Sequence, residues 1–384
     1  MASHFRALTV EDVRRETAEC ISVAFAIPAG LREEFQWRQG QNITLRTRIN
    51  GEEVRRSYSI CSSPLDKELR VAIKKVPGGV FSTYANEQLQ KGHVIDVLPP
   101  SGKFYTELLP ENRKRYLAFA AGSGITPILS LIKTTLAVEP GSHFTLVYGN
   151  RHRGSILFRE ELEGLKNRYM DRLSLLHILS REQMDSPLNQ GRIDTAKCGE
   201  LCHQLIDLRM VDEVFLCGPE EMIFMLKAWL EQQGVEARKI HFELFHTRGE
   251  DARASGTGSA GVVVGQDRNA GADGGAAASA ARVAGRNGGE KISRVTVRLD
   301  GISHDFNLPY DGASILDAAM MEGVDLPFAC KGGVCCTCRA RLAEGQVEME
   351  LNYALEPDEL AAGFILTCQS HPRTDRVIVD YDSK

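Results

Sequence analysis

Four cysteines near the C-terminal end constrain this 384-residue chain more than any other feature. Cys330 and Cys335 are separated by four residues, Cys338 follows after two more, and Cys368 follows after a further 29. This spacing is typical of [2Fe–2S] ligands, because three thiolates on one short loop can surround a small cluster while another segment supplies the fourth. Such a loop needs small residues, and KGGV at 331–334 provides them.

Zinc is the main alternative for clustered cysteines. Zinc sites normally pair one CxxC with a second CxxC or with two histidines, and neither partner is present here. The additional thiol of Cys336 would give spacings of five residues and one residue if it were a ligand, which fit no such pattern. We therefore expect the other four cysteines to be the metal ligands and Cys336 to be packed and non-ligating.

The composition is that of a globular protein with two or three domains. The chain is 43% hydrophobic and 25% charged, which excludes a disordered or collagen-like protein. The N-terminal residues lack the apolar stretch of a signal peptide, and no later apolar run is long enough for a membrane span. We expect a cytoplasmic protein with reduced thiols and with neither a membrane nor a nucleic acid as partner.

A Gly/Ala-rich strip divides the chain. Of the 41 residues at 249–289, 22 are Gly or Ala, so we expect a flexible linker over 248–291 in which nothing can build a core. The tail at 292–384 has 8 Lys and Arg against 15 Asp and Glu, a net charge of −7. This acidity is either a docking face or a means of keeping a small domain soluble.

Three hydrophobic patterns predict three folded domains. Residues 1–110 contain short alternating runs at 20–27, 43–49, 69–76 and 94–97, which predict an antiparallel barrel or sandwich. Residues 111–247 alternate buried strands with helical stretches, the clearest helix at 219–233, which predicts a doubly wound parallel α/β domain. Residues 292–384 combine a hairpin turning at Asp300-Gly301 with a helix at 314–322, the order of a small α+β module.

Three short motifs point to nucleotide chemistry. GSGITP at 122–127 follows the strand YLAFAA and would let a pyrophosphate approach the backbone at a helix N-terminus. Pro127 replaces the third Gly of the usual fingerprint, so this motif alone is also compatible with a simple tight turn. CGP at 217–219 ends a later strand, and RSYS at 56–59 lies in the first domain.

Taken in order, RSYS, GGVFS at 78–82, GSGITP and CGP resemble the ferredoxin-NADP reductase superfamily over residues 1–245. The resemblance implies a Greek-key barrel that binds FAD, rather than FMN, followed by an NAD(P)-binding domain. It also implies the roles of the following residues: Arg56 on the flavin pyrophosphate, Tyr58 against the isoalloxazine, Ser59 near N5, Gly79 and Ser82 at the flavin phosphates, Gly122, Gly124 and Thr126 facing the nicotinamide nucleotide, and Cys217 with Gly218 beside the nicotinamide ring.

The choice of nicotinamide depends on charge. SREQ at 180–183 follows the strand LSLLHIL and is similar to the string with which ferredoxin-NADP reductases hold the 2′-phosphate. Ser180 and Arg181 would therefore favour NADPH over NADH. The alternative is a solvated arginine at the end of a strand.

The whole order, with a plant-type ferredoxin of β-grasp fold after the linker, resembles the reductase components of multicomponent oxygenases. More narrowly, LPFACKGGVC and NYALEPDEL resemble the reductase subunits of phenylacetyl-CoA epoxidases. The resemblance implies electron transfer from NADPH through FAD and the [2Fe–2S] cluster to a di-iron oxygenase component. Two alternatives remain open at this point: the reductase of another mono- or dioxygenase, and a non-enzymatic redox sensor.

Overall fold

The computed structural model describes residues 4–245, 262–266 and 291–383. The contacts divide them into two compact units, one formed by Phe5–Phe245 and a second that contains the described residues from 262 onward. None of the helices in these ranges combines the length and the apolar character needed to cross a bilayer.

The first unit begins with an antiparallel barrel of six strands in the order β4-β3-β6-β1-β2-β5. The bridge between Ile60 and Val71 joins its two edges. In the first strand Leu8 and Val10 are buried and Thr9 between them is exposed, which is the two-residue period of a strand with one face toward a core. The elements are β1 (Arg6–Thr17), β2 (Cys20–Ala26), β3 (Asn42–Ile49), β4 (Glu52–Ser59), β5 (Leu69–Lys74), α1 (Val80–Gln88) and β6 (Val94–Val97).

The same unit continues into a five-stranded parallel sheet in the order β11-β10-β7-β8-β9. Its elements are β7 (Arg115–Ala121), α2 (Ile125–Val138), β8 (His143–Asn150), α3 (Arg159–Arg168), β9 (Leu173–Leu179), α4 (Thr195–Gln204), β10 (Glu213–Gly218), α5 (Glu220–Gln232) and β11 (Ile240–Leu244). The chain order reverses between β7 and β10. In sheets of this kind, ligands bind at such a reversal, outside the carboxyl ends of the strands.

The second unit is a helix on a mixed sheet, in which β13 and β18 are parallel and the hairpin of β13 and β14 is antiparallel. The sheet order is β12-β15-β18-β13-β14, with β16 and β17 also paired to β15. Its elements are β12 (Val262–Gln266), β13 (Ile292–Leu299), β14 (Ile302–Pro309), α6 (Ile315–Met321), β15 (Arg339–Met349), α7 (Pro357–Ala361), β16 (Phe364–Leu366), β17 (Ser370–Pro372) and β18 (Arg376–Asp380).

Strand β12 corrects one expectation about the Gly/Ala-rich strip. Residues 262–266 pair antiparallel with 345–349 of β15, and Val264 is 6% exposed within the core of the second unit. The expectation that nothing in the strip can build a core is wrong here, because three consecutive β-branched residues favour a strand whatever the average composition around them. The rest of the predicted linker, 248–261 and 267–290, lies outside the described residues.

Most local signals were interpreted correctly. The predicted strands at 94–97 and LSLLHIL coincide with β6 and β9. Asp300 and Gly301 have φ of 53° and 75°, the two left-handed positions of a type I′ hairpin turn. Ser314 caps α6 by accepting a hydrogen bond from the Asp317 N–H. Strand β11 was not predicted from the sequence, and it contributes to the site described next.

Candidate electron-transfer sites

Four of the five cysteines of the second unit, the four predicted ligands, come together as two pairs. The thiols of Cys330 and Cys335 are hydrogen bonded to each other, and so are those of Cys338 and Cys368. These hydrogen bonds lower the pKa of Cys330 and Cys368 and, together with burial, raise the pKa of Cys335 and Cys338. Iron would bind these cysteines as thiolates, so all four thiols would lose their protons when a cluster forms.

The cysteine loop turns its backbone amides toward the sulfurs. Lys331, Gly333 and Cys336 have φ of 51°, 75° and 53°, left-handed positions that curl the chain tightly. The N–H of Gly332 lies 3.3 Å from the Cys330 sulfur, and the N–H of Gly333 bonds the Cys368 sulfur. A Cβ atom at Gly333 would lie 2.9 Å from the Leu351 carbonyl oxygen, so glycine is required at this turn.

This donor set fits the predicted cluster. Within the described ranges, no three His, Cys, Asp or Glu side chains are placed to hold a single metal ion. Four thiols brought together from two chain segments would instead supply the four thiolates that hold a [2Fe–2S] cluster. Cys336 donates from its sulfur to the Ala354 carbonyl at 3.1 Å, a contact in keeping with the packed role expected for it.

Strand β4 presents the predicted flavin residues at the end of the barrel. Arg56 is exposed, and its guanidinium donates to the neighbouring Arg55 carbonyl at 2.7 Å. The Tyr58 ring lies 5.7 Å from the ring of Phe81, and burial raises the pKa of its hydroxyl. The strand thus offers a cation for phosphate and a neutral aromatic plane for a ring system.

The loop before α1 presents a helix N-terminus without a side-chain cap. Gly79 is the N-cap residue and has no capping hydrogen bond, so the first amides of α1 have no partner within the helix. Ser82 is buried, accepts from the Val76 N–H at 3.2 Å and donates to the Gly79 carbonyl at 3.3 Å. In this structure Ser82 shapes the loop, whereas the free amides suit a phosphate group.

The GSGITP and CGP motifs meet at the reversal between β7 and β10. A Cβ atom at Gly124 would lie 2.1 Å from the Cys217 carbonyl oxygen, so the two segments approach each other as closely as backbones can. A Cβ atom at Gly218 would lie 2.7 Å from the end of the Met222 side chain and 3.1 Å from the Ala121 Cβ. Thr126 donates to the Ser123 carbonyl at 3.0 Å and fixes the turn that precedes α2.

Two residues that the sequence analysis did not identify complete this site. Ser59 donates from its hydroxyl to Glu243 Oε2 at 2.7 Å, although 184 positions separate them. Glu243 lies opposite Cys217 in the register of β10 and β11. Burial and then the Glu243 carboxylate raise the pKa of Cys217 well above its ordinary value, so this thiol is neutral. Lys74 of β5 places its ammonium nitrogen 3.8 Å from the Cβ position of Gly122, beside the glycine turn.

Ser180 and Arg181 lie just beyond the carboxyl end of β9. The Ser180 N–H donates to the Asn150 carbonyl at 2.9 Å, and the Arg181 N–H donates to the Arg151 carbonyl at 2.8 Å. Both arginines are exposed, and no carboxylate in the described part of the chain pairs with either of them. Arg151 and Arg181, two cations without a carboxylate partner among the described residues, therefore lie on neighbouring segments at the edge of the sheet where a nucleotide would bind.

Comparison with known families agrees with this division of the chain. Residues 7–105 match the oxidoreductase FAD-binding domain, 119–228 the oxidoreductase NAD-binding domain, and 297–373 the 2Fe-2S iron-sulfur cluster binding domain. The solved structure of phthalate dioxygenase reductase has the same fold, with a TM-score of 0.55 at 20% identity over 98% of each chain.

Two curated relatives match nearly the whole chain. One subunit of the 1,2-phenylacetyl-CoA epoxidase of Escherichia coli (strain K12) is 45% identical over 99% of this chain and 98% of that protein. The ferredoxin reductase component of 3-ketosteroid-9-alpha-monooxygenase from Rhodococcus rhodochrous is 32% identical over 97% of this chain and 96% of that protein. The chain therefore belongs to the family of oxygenase reductase components, oxidoreductases that join FAD-binding, NAD-binding and 2Fe-2S domains.

Proposed function

We propose that this chain is the NADPH-dependent reductase of a phenylacetyl-CoA epoxidase, and that it delivers electrons through FAD and the [2Fe–2S] cluster to a di-iron oxygenase component. The identity of 45% over nearly all of both chains supports this partner. The string NYALEPDEL supports it as well. It resembles the reductase subunits of phenylacetyl-CoA epoxidases, and no cofactor chemistry requires those residues, so the similarity is specific to that group of reductases.

The electron path rests on one observation: Ser59, Glu243 and Cys217 are linked at the reversal of the sheet. Ser59 belongs to the barrel and Cys217 to the parallel sheet, so this is where a flavin and a nicotinamide ring would meet. When bound, these groups would supply the redox chemistry: hydride transfer from nicotinamide to flavin, and transfer of single electrons from flavin to cluster.

The chain's own residues position these groups. Arg56 and the free amides of α1 would hold the flavin phosphates, and Tyr58 would cover the ring. The neutral, buried Cys217 offers a small uncharged surface to the nicotinamide ring, while Glu243 fixes the direction of the Ser59 hydroxyl. Because the acceptor is a carboxylate, this hydrogen bond is charge-assisted and therefore stronger than one between neutral groups.

The preference for NADPH rests on Arg181, with Arg151 beside it. Replacing Arg181 with Gln should lower kcat/KM for NADPH about 10-fold or more and leave the value for NADH nearly unchanged, since only NADPH carries the 2′-phosphate. The matched control is Arg32→Gln, at an exposed arginine of the barrel. An equal loss with both nucleotides would contradict the assignment.

Reconstitution tests the partner. The loaded reductase, NADPH and the oxygenase component of a phenylacetyl-CoA epoxidase should consume NADPH and form epoxide only when phenylacetyl-CoA is present. A ketosteroid monooxygenase component serves as the control. Failure of the epoxidase, despite rapid reduction of an artificial acceptor, would contradict the partner while leaving the reductase activity intact.

A second candidate partner is the oxygenase component of a 3-ketosteroid-9-alpha-monooxygenase. The relative from Mycobacterium tuberculosis (strain CDC 1551 / Oshkosh) favours it, with 34% identity over 100% of this chain. If only the ketosteroid control of the reconstitution turned over, this alternative would replace the first. We place either reaction in the cytoplasm, where thiols such as the ten free cysteines stay reduced.

A further inference from the structure

One glutamine contacts both chain segments that hold the four thiols. Gln369 directly follows Cys368, and its side chain is 5% exposed. Its Nε2 donates to the Lys331 carbonyl in the three-cysteine loop at 2.8 Å and to the Cys368 carbonyl at 3.0 Å. The same nitrogen lies 3.6 Å from the Cys368 sulfur. A single amide therefore joins the loop to the fourth ligand and reaches that ligand's sulfur.

The surroundings determine the orientation of this amide. All three neighbours of Nε2 are acceptors, so the carbonyl end of the amide could not occupy the same place without three repulsive contacts. The loop also closes tightly on the side chain, since a Cβ atom at Gly333 would lie 3.4 Å from the Gln369 Cγ. The amide is consequently oriented with its NH2 group toward the sulfur and the two carbonyl oxygens, three acceptors that share its two hydrogens.

We propose that Gln369 is a positioning residue that raises the reduction potential of the [2Fe–2S] cluster through its hydrogen bond to the Cys368 sulfur. Reduction adds one electron, and thus one negative charge, to a cluster already held by four thiolates. Hydrogen bonds to the sulfurs stabilise that added charge. Because Gln369 is buried, its amide dipole is screened less than it would be in water.

The potential of the cluster then controls electron flow inside the molecule. A higher potential makes the cluster a better acceptor from the flavin, and the same amide holds the fourth ligand against the loop. The inference rests on the four-cysteine site and not on the identity of the oxygenase partner. Its outcome is therefore independent of the reconstitution described above.

The first test compares two glutamine-to-methionine variants of the full chain. Gln369→Met keeps the length of the side chain but removes the donor, whereas Gln346→Met makes the same change in β15 of the same unit. At a fixed electrode potential, Gln369→Met should lower the ratio of reduced to oxidised cluster about 3- to 10-fold, where 10-fold corresponds to about 59 mV for a one-electron couple. Gln346→Met should leave the ratio unchanged. An unchanged ratio in a fully loaded Gln369→Met variant would overturn the proposal.

The second test uses the unaltered sequence, so it remains decisive if the variant fails to load its cluster. Protein labelled with ¹⁵N at glutamine side-chain amides is reduced, and pulsed electron paramagnetic resonance is recorded at the cluster signal. We expect one resolved ¹⁵N coupling from a side-chain amide, present also in Gln346→Met. Absence of the coupling in the loaded wild-type protein would show that no glutamine amide bonds the cluster sulfur.

Discussion

At the scale of single residues, Glu243 links the two halves of the reductase unit. Its carboxylate accepts the Ser59 hydroxyl at 2.7 Å and lies beside Cys217 in the sheet. The negative charge and the burial of the thiol act in the same direction on Cys217 and keep it protonated. The charge on Glu243 therefore belongs to the site where the nicotinamide and flavin rings are expected to meet.

Replacing Glu243 with Gln should slow flavin reduction by NADPH about 10-fold, because the change removes the charge while preserving the shape of the side chain. A charge-assisted hydrogen bond exceeds a neutral one by roughly 1–1.5 kcal/mol, which corresponds to about that factor. Stopped-flow absorbance measures the rate. Glu236→Gln, at an exposed glutamate of the same unit, is the control and should keep the wild-type rate. Equal rates of flavin reduction in the two variants would contradict the role assigned to Glu243.

The residues that sequence analysis identified are those with a motif around them. The cysteine spacing and RSYS carry local information, so their positions could be predicted. Glu243, Lys74 and Gln369 could not be found in this way, because each acquires its role through a neighbour that only the folded sheets provide. The contact between Glu243 and Ser59 spans 184 positions and leaves no local pattern.

At the scale of elements, the turn from β7 into α2 depends on a close approach of two backbones. Gly124 faces the end of β10, where a side chain would collide with the Cys217 carbonyl. Pro127, which departs from the usual fingerprint, lies in the first turn of α2, where its missing N–H breaks no helical hydrogen bond. The variant motif therefore still forms a tight turn between strand and helix.

Gly124→Ala should destabilise the reductase unit by about 1–3 kcal/mol, because the new methyl group cannot be accommodated without moving a strand. The variant should also bind NADPH more weakly. Gly164→Ala is the matched control: this glycine is exposed in α3 with nothing within 4 Å of its Cβ position, and the change should stabilise the unit by about 0.5–1 kcal/mol. Thermal unfolding and nucleotide titration provide the measurements. Similar effects at the two glycines would contradict the close approach.

Strand β12 shows how composition can hide an element. The prediction considered the composition of all 41 residues at 249–289, of which 22 are Gly or Ala, and so overlooked the three consecutive valines at 262–264. It was therefore wrong for 262–266. Strands such as β6 and β9 were predicted because their apolar runs are bounded by turn residues. A segment of five residues is too short to show a clear hydrophobic period. Strand β12 is recognised only in the folded structure, where it pairs with β15 at the edge of the sheet.

Two neighbouring substitutions test this docking. Val264 is 6% exposed and Val263 is 52% exposed, so the same new charge can be placed on the buried or on the open face of β12. Val264→Asp should release the strand and lower the free energy of unfolding of the second unit by about 2–3 kcal/mol, the contribution of a fully buried valine. Val263→Asp should change it by about 0.5 kcal/mol or less. Hydrogen exchange of the β12 amides and thermal unfolding distinguish the two, and equal losses would contradict the docking.

At the scale of the whole molecule, the flavin and nicotinamide domains form one compact unit and the cluster domain belongs to another. The proposed order of electron transfer, from NADPH through FAD to the cluster, differs from the order of domains along the chain, which is FAD-binding, NAD-binding and 2Fe-2S. Sequence patterns predicted this order well, because each domain has its own periodicity and its own motif. The central claim is that a single chain carries electrons from NADPH through FAD to a [2Fe–2S] cluster.

An anaerobic titration of the loaded protein with NADPH, followed by absorbance and electron paramagnetic resonance, tests that claim most directly. We predict bleaching of the flavin bands together with the signal of a reduced [2Fe–2S] cluster, with two electrons taken up per flavin and one per cluster. Reduction of the flavin without any reduced-cluster signal, or no reduction of either centre by NADPH in a protein that contains both, would contradict the account.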